Sequence, residues 1–374
     1  MIPPVSASRP NRPGSTPGWG APLRLVLRLL VMGIGLGVIT GTGLKLLAPR
    51  LAGGTGGSGK NQPASTRLTL PSIQPLPQGL SLGHFEPRTE LTALSSKWAQ
   101  LAAVHKDLQV SGYLLVLDDG RFAQLQAERP LPAASSIKTP ILLAGLEDLD
   151  AGKLRWNDPL VLTKEVVGGG AGWMASKPLG SRFPFWEAAM EMIRVSDNSA
   201  TNLLIKKLGG KTALNARFQT MGLTGTVINN WLPDLDGTNT TSAHDLARAI
   251  ALVDTGEKLS PRARDLFREV MGKSRTNTLL PLGLLMGLGG DSADPDSDLL
   301  AHGVTVLNKT GDIGIAYADG GLIELPNGQR AVAAFMVKGP FNDQRSTTLI
   351  RAMAAEIART LIGKGASTNS GASR

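Results

Sequence analysis

Strand-forming segments occur only near the two ends of the folded body of this 374-residue chain, with a long helical stretch between them. Near the start, SGYLLVLDDGRFAQLQA reads as two strands joined at Asp119-Gly120, a hairpin dipeptide. Strand patterns return only at 303–309, 313–325 and 329–338, the last two joined by Pro326-Asn327-Gly328. Helical patterns fill the interval: ILLAGLEDLDAG, FPFWEAAMEMIRV, SATNLLIKKLGG, SAHDLARAIALVDTG and SPRARDLFREVMG. A helical pattern at 88–106 precedes the first strands, and another at 344–362 closes the body. Strands this far apart in sequence share a sheet only if the chain closes across the whole insertion. The expected fold class is therefore α/β of the α+β kind. It has an antiparallel sheet of about five strands flanked by helices, a helical subdomain, and a cleft between the lobes where a site is expected.

Composition narrows the partners. Hydrophobic residues make up 42% of the chain and aromatics only 4%, so the core must be aliphatic. The formal charge of +9 is concentrated at one end: residues 1–65 hold Arg9, Arg12, Arg24, Arg28, Lys45, Arg50 and Lys60 and no acidic residue. The body is close to neutral, which argues against nucleic acid as a partner, because that binding needs a dense basic patch. The absence of cysteine excludes a disulfide framework, a thiol nucleophile, a cysteine-ligated metal and a lipoprotein anchor. His84, His105, His244 and His302 are scattered without metal-ligand spacing, so no metal is expected.

The basic end has its own organisation. Residues 29–44 are free of charge, and with their flanks form an expected transmembrane anchor over 23–47, Arg28 and Lys45 snorkelling to its ends. A cleaved signal peptide is the rival reading, disfavoured by the long basic lead and the lack of a clean A-x-A site. Four arginines precede the span, which puts residues 1–22 in the cytoplasm and the body outside the cytoplasmic (inner) membrane, on the periplasmic side. Residues 48–80 read as a flexible linker, 81–364 as the folded domain and 365–374 as a disordered tail. Within the linker, Gly54 to Lys60 imitates the start of a phosphate-binding loop, but Asn61 follows and no strand precedes it.

Three short motifs follow one another in the body: Ser135-Ser136-Ile137-Lys138, Ser196-Asp197-Asn198 and Lys309-Thr310-Gly311. Each has a chemical rationale. Ser135 and Lys138, three apart, lie on one face of a helical turn. A serine hydroxyl is a weak nucleophile until a neighbour takes its proton, and a lysine can take it once burial and a nearby cation have made its amine neutral. Lys309 is a candidate for that cation. A helix start at Ser135 also offers backbone N–H groups to an oxyanion. Ser196 is a candidate proton relay to a leaving nitrogen. Asn198 is a candidate to hold Lys138 and a substrate amide, whereas Asp197 is expected to order its loop. Lys309 and Thr310, at a strand end, suit a substrate carboxylate. Gly311 is expected to let substrate approach the strand closely, and the N–H of Asp312 to join that of Ser135 as an oxyanion hole. Singly these motifs are common; in this order, one at a helix start and one at a strand end, they are specific.

With their surroundings, PAASSIKTPIL, RVSDNSATNLLI and HGVTVLNKTGDIG, these motifs make residues 90–362 resemble the class A β-lactamase-like serine hydrolases, the group that includes penicillin-binding proteins. The resemblance implies acyl transfer through a seryl ester on a small-molecule or peptide substrate, with no cofactor. It breaks at one place. Class A enzymes carry a loop resembling W-E-P-E-L-N, whose first Glu activates the hydrolytic water. Here the comparable stretch is Trp231-Leu232-Pro233-Asp234-Leu235-Asp236, and a leucine cannot accept a proton. Asp234 and Asp236 are shorter and out of register, and turn or capping roles fit them better. Acylation therefore looks complete and deacylation impaired. Three readings stay open: a serine hydrolase acting on peptide, amide or ester substrates with weak β-lactam turnover, a working β-lactamase with another water-activating group, and a module that binds or senses β-lactams or cell-wall peptides. Trp173, in a glycine-rich stretch, borders the cleft or anchors a loop. Oligomeric state is not readable.

Overall fold

The computed structural model describes residues 85–363, so the segment 1–22, the expected anchor at 23–47, the linker at 48–80 and the tail at 365–374 lie outside the described residues. Among those described, no helix is long and apolar enough to cross a membrane.

The two strand-bearing ends do close on each other. β1 (Thr89–Glu90), α1 (Thr92–Ala103), β2 (Gln109–Val116) and β3 (Arg121–Leu125) come from the first end. β8 (Thr305–Asp312), β9 (Ala316–Glu324), β10 (Arg330–Lys338) and α10 (Gln344–Leu361) come from the second. They form a six-stranded sheet in the order β1-β3-β2-β10-β9-β8, with β10 joining the halves against β2, Phe335 opposite Gly112. Five of these strands are antiparallel, as expected. The sixth, β1, is a two-residue strand lying parallel to β3, held by Leu91 N–H donating to the Phe122 carbonyl at 2.6 Å. The helix expected from residue 88 therefore starts only at Thr92, because the preceding residues are taken up by the sheet.

Alternation along β2 and β10 separates two cores. Val110, Leu114, Val116, Ala331, Ala333, Phe335 and Val337 face α1 and α10. There Trp98 is fully buried, stacks edge-on against Phe335 and donates its indole N–H to the Met353 carbonyl at 2.9 Å. Tyr113, Leu115, Val332, Ala334 and Met336 face the helical lobe.

That lobe is the long insertion. It comprises β4 (Leu131–Pro132), α2 (Lys138–Asp150), β5 (Pro159–Val161), β6 (Arg182–Pro184), α3 (Phe185–Arg194), α4 (Asn198–Lys207), α5 (Gly210–Thr220), β7 (Thr240–Thr241), α6 (Ala243–Asp254) and α7 (Pro261–Met271), whereas α8 (Leu280–Gly287) and α9 (Pro295–Ala301), at the end of the insertion, pack on the opposite face of the sheet with α1 and α10. β4 and β7 pair antiparallel, as do β5 and β6. α5, α8 and α9 do not stand out in the sequence, since glycine, proline or polar residues interrupt their apolar periodicity. α2 is buried from Lys138 through Leu146, so its first residue, a lysine, is carried into the interior.

Candidate active site

Ser135 lies in a single 3₁₀ turn, Ala134–Ile137, and α2 proper begins at Lys138. The expected helix start is thus a tighter turn leading into the helix. Ala134, just before the serine, has φ of 47°, in the left-handed region that costs a non-glycine residue about 1–3 kcal/mol. The turn is held by the Ser136 N–H and hydroxyl, which donate to the Ala133 carbonyl at 3.1 and 2.6 Å, and by the Ala133 N–H, which donates to the Asn239 carbonyl at 2.8 Å.

Lys138 is fully buried, and its Nζ reaches four oxygens: Ser135 Oγ at 2.9 Å, Ser196 Oγ at 2.9 Å, the Ser196 carbonyl at 2.8 Å and Asn198 Oδ1 at 2.9 Å. The carbonyl and amide oxygens can only accept, so they take two N–H bonds. The two hydroxyls can either accept or donate. A neutral amine, once its two N–H groups are given to these oxygens, has one lone pair left to accept from one of the two serine hydroxyls, the arrangement needed for proton abstraction. Burial drives the Lys138 pKa well below the usual lysine value, Lys309 lowers it further, and Asp197 partly opposes them.

Ser196 connects α3 to α4 with φ of 61°, a second left-handed residue at the site. Asp197, fully buried, caps α4 through Oδ1, accepting the Ala200 N–H at 2.9 Å. Its Oδ2 accepts the N–H groups of Trp173 and Met174 at 2.7 and 2.8 Å. Asp197 therefore orders loops. Trp173 is one of the residues it anchors: it is half-buried, and its indole N–H donates to Glu191 at 2.7 Å. Asn198 has both ends of its amide engaged, with Nδ2 donating to the Gly169 carbonyl at 2.8 Å.

The third motif arrives on β8, the edge of the sheet. Alternation puts Lys309 and Gly311 on one face and Asn308 and Thr310 on the other. Lys309 is 1% exposed and donates to the Thr310 carbonyl at 2.8 Å. Burial lowers its pKa to about 8, with the Asp319 carboxylate pulling the other way. Asp319, on β9 opposite Thr310, is itself pushed up to about 7 by burial, although Asn308 and the Leu280 N–H donate to it. Gly311 also meets a steric need that the sequence did not show. A Cβ there would sit 2.8 Å from the Ala133 carbonyl and 2.9 Å from the Ser136 nitrogen, so its lack of side chain lets β8 close on the nucleophile turn. Thr310 is half-buried, and the exposed Asp312 turns its carboxylate onto the Gly314 N–H at 2.8 Å.

Leu232 is 4% exposed and packs in the core of the helical lobe. Asn202 clamps its backbone, accepting the Leu232 N–H at 2.9 Å and donating to its carbonyl at 2.7 Å. This loop lies next to the site: a Cβ on Gly168 would meet the Leu232 carbonyl at 2.3 Å and Asn198 Cβ at 3.0 Å. Asp234 is buried and turned into its own loop, accepting from the Asn239 N–H at 2.6 Å and the Thr238 hydroxyl at 2.9 Å, and Asp236 is exposed. The clamp residue Asn202 escaped sequence reasoning. It sits mid-helix in α4, and only its neighbourhood reveals its task.

Two serine hydroxyls that meet one buried lysine, between an α+β lobe and a helical lobe, fit a serine hydrolase. The chain belongs to the beta-lactamase enzyme family, whose model matches residues 93–361. It is similar to the solved structure of PBP-A, with 40% identity over 74% of this chain and 98% of that one and a TM-score of 0.68. A leucine-to-glutamate mutant of PBP-A, solved as an acyl-enzyme complex with penicillin G, matches with 40% identity over 73% of this chain and 98% of that one, at a TM-score of 0.67. A β-lactamase of Streptomyces albus G is 30% identical over 159 residues, 40% of this chain and 51% of that enzyme, so the match spans about half of that relative.

Replacing Asp197 by alanine removes the acceptor of three backbone N–H groups. It should destabilise the protein by about 3 kcal/mol in urea unfolding and alter Trp173 emission in the folded state.

Proposed function

We propose that the chain is a membrane-anchored serine hydrolase that forms a seryl ester on β-lactam, peptide, amide or ester substrates outside the cytoplasmic membrane and releases the acyl group slowly. One observation carries this reading: the buried Nζ of Lys138 lies 2.9 Å from both the Ser135 and the Ser196 hydroxyls. Neutral Lys138 takes the Ser135 proton as Oγ attacks the carbonyl carbon, and the N–H groups of Ser135 and Asp312 receive the oxyanion. As the C–N bond breaks, Ser196 passes a proton to the leaving nitrogen and regains one from Lys138. Lys309 and Thr310 hold the substrate carboxylate, with Gly311 leaving the strand edge open, and Asn198 holds a substrate amide.

Slow release follows from the side chain at Leu232. A general base adds about 10²–10⁴ to a rate, and a leucine supplies none. Asp234 is committed within its loop and Asp236 faces solvent. The acyl-enzyme complex of a PBP-A mutant with penicillin G supports the formation of a seryl ester on this scaffold. The second reading, rapid β-lactam turnover, is favoured by the similarity to the Streptomyces albus G β-lactamase.

A fluorescent penicillin should label the protein at Ser135 and persist, and Ser135→Ala should abolish the label. Leu232→Glu, with its backbone still held by Asn202, should speed loss of the label at least tenfold. No label on folded protein would overturn the acyl-transfer reading, and fast hydrolysis of a chromogenic cephalosporin by the unaltered protein would establish the second one.

Acylation by a carboxylate-bearing substrate should follow a bell in pH. The rising limb reports loss of the Lys138 proton. The falling limb should lie near pH 8, where Lys309 loses the charge that it keeps at lower pH. A neutral ester substrate should lack that falling limb.

The charge-free run at 29–44 supports the anchor. The full chain should stay in the membrane pellet after carbonate extraction, with its catalytic body digested by protease added to the periplasmic side. Release by carbonate would overturn the anchor.

A further inference from the structure

A second group of ionisable side chains lies outside the catalytic centre, where the β3–β4 connection meets the first turn of α6. His244 Nδ1 is 3.2 Å from Glu128 Oε1 and 3.8 Å from Asp245 Oδ1, and the three atoms all lie within 4.8 Å of one another. Asp245 is 1% exposed. Its Oδ2 is used by the Gly225 N–H at 2.8 Å and the Thr226 hydroxyl at 2.7 Å, whereas Oδ1 has no hydrogen-bond partner. His244 Nδ1 is likewise buried without a hydrogen-bond partner.

Ionised carboxylates accept and never donate, and a neutral imidazole nitrogen without its proton also only accepts. Three such atoms turned towards one point repel one another unless a cation, either a proton on Nδ1 or a metal ion, lies between them. Tetrahedral zinc with bonds of about 2.0–2.2 Å separates its ligand atoms by about 3.3–3.5 Å, and the observed 3.2 and 3.8 Å bracket that spacing. One imidazole with two carboxylates is a zinc-type donor set, whereas calcium and magnesium favour oxygen alone.

The surroundings hold the ligands in place. Phe85 and Tyr113 pack edge-on against the His244 ring, both at 5.1 Å. The His244 N–H donates to the Ala127 carbonyl at 3.1 Å, which fixes the residue before Glu128 against α6. Arg248, one turn further on, is occupied elsewhere, donating to the Met221 carbonyl at 2.8 Å and lying over the Phe85 ring. The two carboxylates outweigh the partial positive charge of the α6 N-terminus.

We propose that Glu128, His244 and Asp245 bind one divalent transition cation of the zinc type, with water completing the shell. The cation would staple the β3–β4 connection to α6. The same two segments are joined by the β4–β7 pair, Leu131 opposite Thr241, which leads into the nucleophile turn. The staple is structural and takes no part in acyl transfer.

The test is titration of zinc chloride into untagged, chelator-treated full chain, followed by calorimetry and thermal unfolding. One ion per chain should bind and raise the unfolding temperature with increasing zinc. Glu128→Gln, at an exposed side chain, and His244→Gln should each weaken binding at least tenfold while circular dichroism shows a folded protein. Absence of stoichiometric binding to the folded wild type, or undiminished binding by Glu128→Gln, would overturn the site.

Discussion

A lysine amine sealed from water and surrounded by four oxygens sets the terms for everything around it. Nothing in the interior would tolerate Lys138 as an isolated cation, because desolvation of an ammonium costs several kcal/mol after relaxation. Its contacts with Ser135, Ser196 and Asn198 therefore serve stability and chemistry together. Those partners come from the 3₁₀ turn before α2, from the connection between α3 and α4, and from the first residue of α4. Holding them requires the left-handed backbone at Ala134 and Ser196, the Asp197 cap and the loop that carries Trp173. The helical lobe is organised about one polar contact set.

Closure of the sheet onto that set is the second requirement. β8 is the edge strand of the sheet and belongs to its second, C-terminal half. It reaches the nucleophile turn because Gly311 has no side chain to strike Ala133 and Ser136. Its arrival brings Lys309, whose charge helps to keep Lys138 neutral. Asp319 and Asn308, on the other face of the strands, tie this edge to β9 and α8 and temper the cost of burying Lys309. Lys309 and Lys138 are thus electrostatically coupled across the two lobes.

The loop at Leu232 is a further fixed element beside the site. Asn202 grips the backbone on both sides of Leu232, so the segment is built as firmly as the rest of the site. What it presents is a buried hydrocarbon. The buried lysine and the two serines lie on other segments of the chain, and Leu232 itself carries no acid–base group.

Much of this was legible in the linear order of residues. Ser135, Lys138, Ser196, Asn198 and Lys309 announced themselves because their chemistry demands fixed residue types at short spacings, and alternation marked the five antiparallel strands. Leucine at 232 could be read in the same way, against the loop it resembles. The extra parallel strand, the close approach of Gly311 to Ala133 and Ser136, the grip of Asn202 and the convergence of Glu128 with His244 and Asp245 could not. Each depends on atoms brought together from distant segments, and period or spacing along a chain carries no record of such approaches. The sequence by itself determined which groups could do the chemistry and that the two ends must share a sheet. The tertiary structure decided which groups meet, because burial, close backbone approach and hydrogen-bond partnership arise only when the lobes have closed.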